Sequence, residues 1–245
     1  MTKVKKLITG VLLGLFFIGL FSFSTLVFFV TDWWWFAEVG FTAILLKSLV
    51  AKVILGLVSA ALAAIFLLSN FLWATRSLST QAGKTLWLLK IPAQLTGQAF
   101  LLESTLIRKL GVVASLIIAS IIGLTTAGNW QDILKFIDAS PFGYADPIFG
   151  KDVGFYVFSL PVINSGLGLA KTLIILALVS SGLLYGLRGL INFQALTRRL
   201  GIPELEFAAE GETNLGARIH LGILAAFFFA ATAVSSYLSL FGLLV

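Results

Sequence analysis

Residues 7–30 read LITGVLLGLFFIGLFSFSTLVFFV, with no charged side chain. The hydrocarbon core of a bilayer is about 30 Å thick, and a helix crosses it with about 20 apolar residues. Lys3, Lys5 and Lys6 stand just before the run. A secretory signal also opens on positive charge, but its apolar region is only about 7–15 residues and it ends in a small-residue cleavage site. This run is longer and carries no such site, which predicts an uncleaved membrane anchor.

The whole composition agrees with that solvent. Of 245 residues, 59% are hydrophobic and 11% charged, and the mean hydropathy is +1.03. Soluble domains carry about 25% charged residues, enough to cover a core with a hydrated surface. Cysteine is absent, which excludes disulfides and thiolate metal sites. The net charge of +6 falls in the segments between apolar runs, as an orientation signal does, and forms no nucleic-acid-binding stripe.

Outward from the first run, residues 31–36 read TDWWWF. Trp33, Trp34 and Trp35 suit the headgroup level, where an indole ring is buried and its N–H stays wet. A second span is expected at 53–73. Residues 41–52 continue the same helix, with Lys47 and Lys52 snorkelling to the interface. A basic loop follows at 74–109, in which KTLWLLK (84–90) reads as a short amphipathic piece on the membrane surface. The third span is 110–127. An acidic loop then carries Asp132, Asp138, Asp146 and Asp152. Within it, Trp130, Ile133, Leu134 and Ile137 recur at helical spacing and predict a short interfacial helix. Asp146-Pro147 and Gly150-Lys151-Asp152 supply turn chemistry. Asp152 is placed to cap a short helix through Phe155 and Phe158 that ends near Pro161. The fourth span is 166–187, with Lys171 near its start and able to snorkel. Asn214 is a helix cap before the fifth, 219–241.

Little in these spans resembles a reaction centre. Spans one, three and five hold no ionisable residue away from their ends, which argues against a proton relay or voltage sensor. Asn70 and the serines of span four are suited to bonding a neighbouring helix. His220 is the only histidine and stands without clustered carboxylates, so interfacial packing or hydrogen bonding suits it better than a metal. Asp146 and Asp152 have turn and capping roles ahead of any hard-cation site. No metalloprotease, nucleophile-elbow or P-loop motif is present. No catalytic, cofactor-binding or metal residue is assigned, and no cofactor. Gly10/Gly14 and Gly182/Gly186 form GxxxG pairs that allow close helix approach.

Three segments together resemble one family: DWWWFAEVGF (32–41), DPIFGKDVGFYVFSLP (146–161) and ARIHL (217–221). They look like the bacterial polytopic membrane proteins of uncharacterised protein family 0182, and the second segment is the most specific. The resemblance implies several N-terminal transmembrane helices followed by a large extracytoplasmic region. That region has no counterpart in this chain, which therefore looks like an N-terminal portion or a reduced relative. The family supplies no activity to transfer.

The expected fold is all-α. A single transmembrane domain over 1–245 would hold about five spanning helices and short interfacial ones. Twelve of the 17 Lys and Arg residues fall in the N-terminus and the loops after spans two and four. Positive residues near span ends resist translocation. The N-terminus is therefore expected in the cytoplasm of a cell membrane and loop 128–163 outside. The expected role is non-enzymatic: a membrane anchor or assembly platform, with a transporter or channel subunit as the alternative. Its partners would be the lipid bilayer and itself or another membrane or extracytoplasmic protein, and no nucleic acid.

Overall fold

A computed structural model describes residues 3–76, 86–90, 99–187 and 215–244. The chain packs as two units, Met1–Ala51 and Lys52–Val245. The first holds α1, Lys3–Glu38, and the start of α2, Thr42–Arg76. α1 is helical across all of the first expected span. It ends at Gly40, whose φ of +76° is the left-handed conformation that glycine adopts without strain. The Phe41 amide donates to the Phe36 carbonyl and the Gly40 amide to that of Ala37, a Schellman closure of the helix end. Trp34 and Trp35 are exposed.

The second unit continues along α2. Strand β1, Leu86–Lys90, pairs antiparallel with β2, Ala99–Glu103. The LWLLK segment is thus extended and takes its backbone bonds from a partner strand. Then come α3, Ser104–Ala127, and α4, Trp130–Ile137, which is the expected short helix. Next is a π-helical turn, Phe155–Ser159, that leads without a break into α5, Leu160–Leu187. The short helix expected to stop near Pro161 therefore does not stop. In the wider turn the Leu160 amide reaches back five residues to the Phe155 carbonyl, and Pro161 enters at the start of the regular helix, where its missing N–H is tolerated. The last helix, α6, spans Leu215–Ser239 and closes in a 3-10 turn, Phe241–Leu244. Asn214 lies outside the described residues.

Among the described residues four helices are long and apolar enough to cross a membrane: Thr42–Thr75, Thr105–Ala127, Phe155–Gly186 and Leu215–Leu243. Each contains one expected span or nearly all of it. Their outward faces are apolar, with Leu57, Ile65, Leu124 and Phe229 each more than 60% exposed. Such continuous apolar surface is unfavourable in water and ordinary against lipid tails. This is the architecture of a multi-pass membrane protein and an all-α bundle, with one small β-ribbon beside it.

Inside the second unit, Ala63 and Leu67 of α2 meet Ala119 and Ile122 of α3 and Leu173 of α5. Ile174 and Ala177 of α5 pack on Leu224 of α6. Small residues let backbones approach where α2 crosses α3. A Cβ on Gly123 would lie 2.5 Å from the Gly56 carbonyl oxygen and 2.7 Å from the Ala60 Cβ. The close crossing is therefore at Gly56 and Gly123. A Cβ on Gly182, in one of the GxxxG pairs, would meet nothing within 4 Å.

Candidate functional site

Three polar features stand out on this apolar frame. The first is the loop between α4 and α5, built on two carboxylates. Asp146 accepts the amides of Ile148 (2.9 Å) and Phe149 (2.6 Å) and the Tyr156 hydroxyl (2.9 Å). Asp152 accepts those of Phe142 (3.1 Å), Gly143 (2.9 Å) and Gly154 (2.7 Å). The Gly154 bond is the expected cap of the helix that follows. Gly143 and Gly150 turn the chain at φ +75° and +64°. Desolvation pushes the Asp146 carboxyl up, but the bonds donated by Ile148, Phe149, Tyr156 and Gly150 outweigh it and hold the group below its ordinary 3.8. The amides of Phe142 and Gly154 do the same for Asp152, with Gly143 adding to them against desolvation. These carboxylates are occupied by the loop's own donors, as turn residues are. Around them Phe142, Tyr144 and Ile148 point outward, Tyr144 at 77% exposure.

The second feature joins α2, α5 and α6. The amide nitrogen of Asn70 donates to the Phe66 carbonyl at 2.7 Å. Its oxygen is therefore the acceptor for His220 Nε2, at 3.0 Å. A neutral imidazole that donates through Nε2 must accept through Nδ1, so the Tyr185 hydroxyl donates to it at 2.9 Å. The chain of bonds runs Tyr185 to His220 to Asn70 to backbone. Tyr185 is fully buried, and Phe71, Ala74 and Ala217 pack in the same cluster. Asn70 and His220 thus bond across helices, as expected. The serines of span four do not: Ser180 bonds the Ala177 carbonyl of its own helix, and buried Ser181 has no partner among the described residues. Lys171 is half-buried and donates to Ser235 of α6 at 2.9 Å, so its ammonium is tied to a neighbouring helix rather than left free at a surface.

The third feature is a half-open cavity of about 360 Å³ among α2, α3, α4 and α5. Ser59, Thr125, Thr126, Asn129, Ser165 and Thr172 give it polar walls, and Leu55, Ile122 and Leu169 apolar ones. Sequence reading missed it. Its one advance signal is Thr125, Thr126 and Asn129 at helical spacing at the end of an apolar run. Among the described residues no group of His, Asp or Glu could hold a metal ion.

The profile of uncharacterised protein family UPF0182 matches residues 9–245. The chain belongs to this family. A UPF0182 protein of Trichlorobacter lovleyi is 33% identical over 98% of this chain and 25% of its own length. One from Geotalea uraniireducens is 32% identical over 91% and 23%, and one from Salinispora tropica 30% identical over 96% and 22%. The chain spans about a quarter of the length of these curated UPF0182 relatives. No solved structure matches it. Two of the three segments that carry the family resemblance hold the polar constellations. The segment 146–161 holds the carboxylate-built turn and the π-helical turn, and 217–221 contributes Ala217 and His220.

Proposed function

We propose that this UPF0182 chain is a non-catalytic membrane anchor and assembly platform. It crosses the cell membrane five times, with α1 as the first span, the N-terminus in the cytoplasm and loop 128–163 outside. The carrying observation is the loop itself. Five backbone amides and the Tyr156 hydroxyl donate to Asp146 and Asp152 and fix the loop, while Tyr144 and Ile148 are 77% and 68% exposed. A surface that is both ordered and apolar suits docking, because ordering it costs little on binding. The partner is an extracytoplasmic protein or region that presents an apolar face. A photo-crosslinking side chain at Ile148 should capture a protein adduct in intact cells, and one at the lipid-facing position Leu57 should not. No adduct at Ile148, or equal adducts at both positions, would contradict the platform.

A transporter or channel subunit is the second reading. It is favoured by the Lys171–Ser235 bond and by the cavity, two of the polar features set within the spans. Lys171→Met should then abolish transport in reconstituted vesicles while leaving the bundle assembled.

A further inference from the structure

The wall chemistry of the cavity restricts what it can hold. Each threonine hydroxyl has one proton to donate. Thr125 and Thr126 both spend theirs on the Ile122 carbonyl, at 2.9 and 2.7 Å. Thr172 spends its own on the Gly168 carbonyl at 2.9 Å. What these side chains offer the cavity is therefore acceptor lone pairs. No carboxylate lines it, so a bare cation would lose its hydration without a counter-charge. A ligand that supplies neutral donors, as hydroxyls do, fits these walls better.

The rim carries the opposite polarity. Lys52 lies one helical turn before the lining residue Leu55, and its ammonium sits 5.1 Å from the ring centroid of Trp130. Trp130 adjoins Asn129, whose side chain makes no bond to the start of α4 and has amide protons to give. Lys52 and Asn129 together favour an anion with several acceptor oxygens. Beside them Val58, Ile121 and Leu124 expose apolar faces toward the lipid, Leu124 at 77%.

We propose that this cavity binds the headgroup of an anionic polyol phospholipid, of the phosphatidylglycerol type. The phosphodiester meets Lys52 and Asn129 at the rim, the headgroup hydroxyls donate to Thr125, Thr126 and Thr172, and the acyl chains lie along α2 and α3. The cavity volume falls at the small end of the roughly 300–1,000 Å³ of ligand sites, which suits a headgroup.

The same chemistry exists in a free polyol phosphate, and the test separates the two. The full chain is purified into mild detergent, offered phosphatidylglycerol, phosphatidic acid, phosphatidylethanolamine or phosphatidylcholine, and retained lipid is read by native mass spectrometry. Phosphatidylglycerol should be retained over phosphatidic acid, which has phosphate but no polyol, and over phosphatidylcholine, which has no donor. The double variant Thr125→Val, Thr126→Val keeps the shape and removes two acceptors. It should lower phosphatidylglycerol retention roughly tenfold, on the scale of a lost hydrogen bond, and leave phosphatidic acid retention unchanged. Lys52→Gln should lower both anionic lipids alike. Thr172→Val repeats the test on a different helix, and unchanged helical circular dichroism shows that each variant is folded. Equal retention of phosphatidylglycerol and phosphatidic acid would overturn the proposal, as would a preference for phosphatidylethanolamine or variants that bind like the parent. Displacement of the lipid by millimolar glycerol phosphate would reassign the site to a soluble ligand and overturn the lipid assignment.

Discussion

His220 is the residue on which three helices converge, and its bonds define the tautomer it holds. Replacing it with alanine removes both the acceptor of the Tyr185 proton and the donor to Asn70. Breaking bonds of partly buried polar groups costs about 1–3 kcal/mol, so His220→Ala should lower the unfolding midpoint in detergent, and a variant that melts with the parent would mean that these bonds do not hold the three helices together. Asp146 and Asp152 act at the same scale. Both carboxyls are held below 3.8 when folded. A depressed folded value means that the carboxylates' stabilisation is complete above the unfolded value, about 3.9. It is then lost as the pH falls through the folded one. The loop amides of Phe142, Gly143 and Phe149 should therefore keep constant protection from hydrogen exchange, after correction for intrinsic rates, down to about pH 5. They should lose it below the unfolded value. Loss of protection near neutral pH would mean that something other than these carboxylates holds the loop. The bonding of His220 and Asn70 and the turn role of both aspartates were legible in the sequence, because a lone polar group at a span end needs a partner. Their actual partners were not legible, since Tyr185 and His220 are far apart in the chain and only folding brings them together.

Between elements, the close crossing of α2 and α3 at Gly56 and Gly123 is the contact most sensitive to a single added group. Gly123→Val should destabilise the bundle by about 1–3 kcal/mol, the usual cost of overpacking. Gly182→Ala, where a Cβ meets nothing within 4 Å, should change stability by less than about 0.5 kcal/mol. Thermal unfolding of both variants checks the pair, and a reversed order would move the tight contact to α5. The sequence shows many small-residue spacings of equal appeal, so it cannot rank them; the rank depends on which face each helix turns to its neighbour. Four of the expected spans were readable, because length and hydropathy are local properties. The break expected near Pro161 was not a break. A π-helical turn before the proline removes the conflict that normally ends a helix, and no composition rule signals such a turn.

At the scale of the molecule, four described helices are long and apolar enough to cross a membrane, and their outward faces carry large exposed apolar side chains. In the proposed topology this bundle sits in the bilayer with its carboxylate-built loop on the outer side. This orientation is inferred from the sequence, in which twelve of 17 Lys and Arg residues fall in the N-terminal segment and the segments after spans two and four, because positive residues near span ends resist translocation. The chain has no cysteine, so any introduced thiol is the only one present. The direct measurement is labelling of single cysteines by a membrane-impermeant maleimide in intact spheroplasts. Ser140→Cys should react at once, and Ser79→Cys and Thr213→Cys should react only after the membrane is opened. Reaction of Ser79→Cys from outside, with Ser140→Cys protected, would contradict the account by inverting the protein.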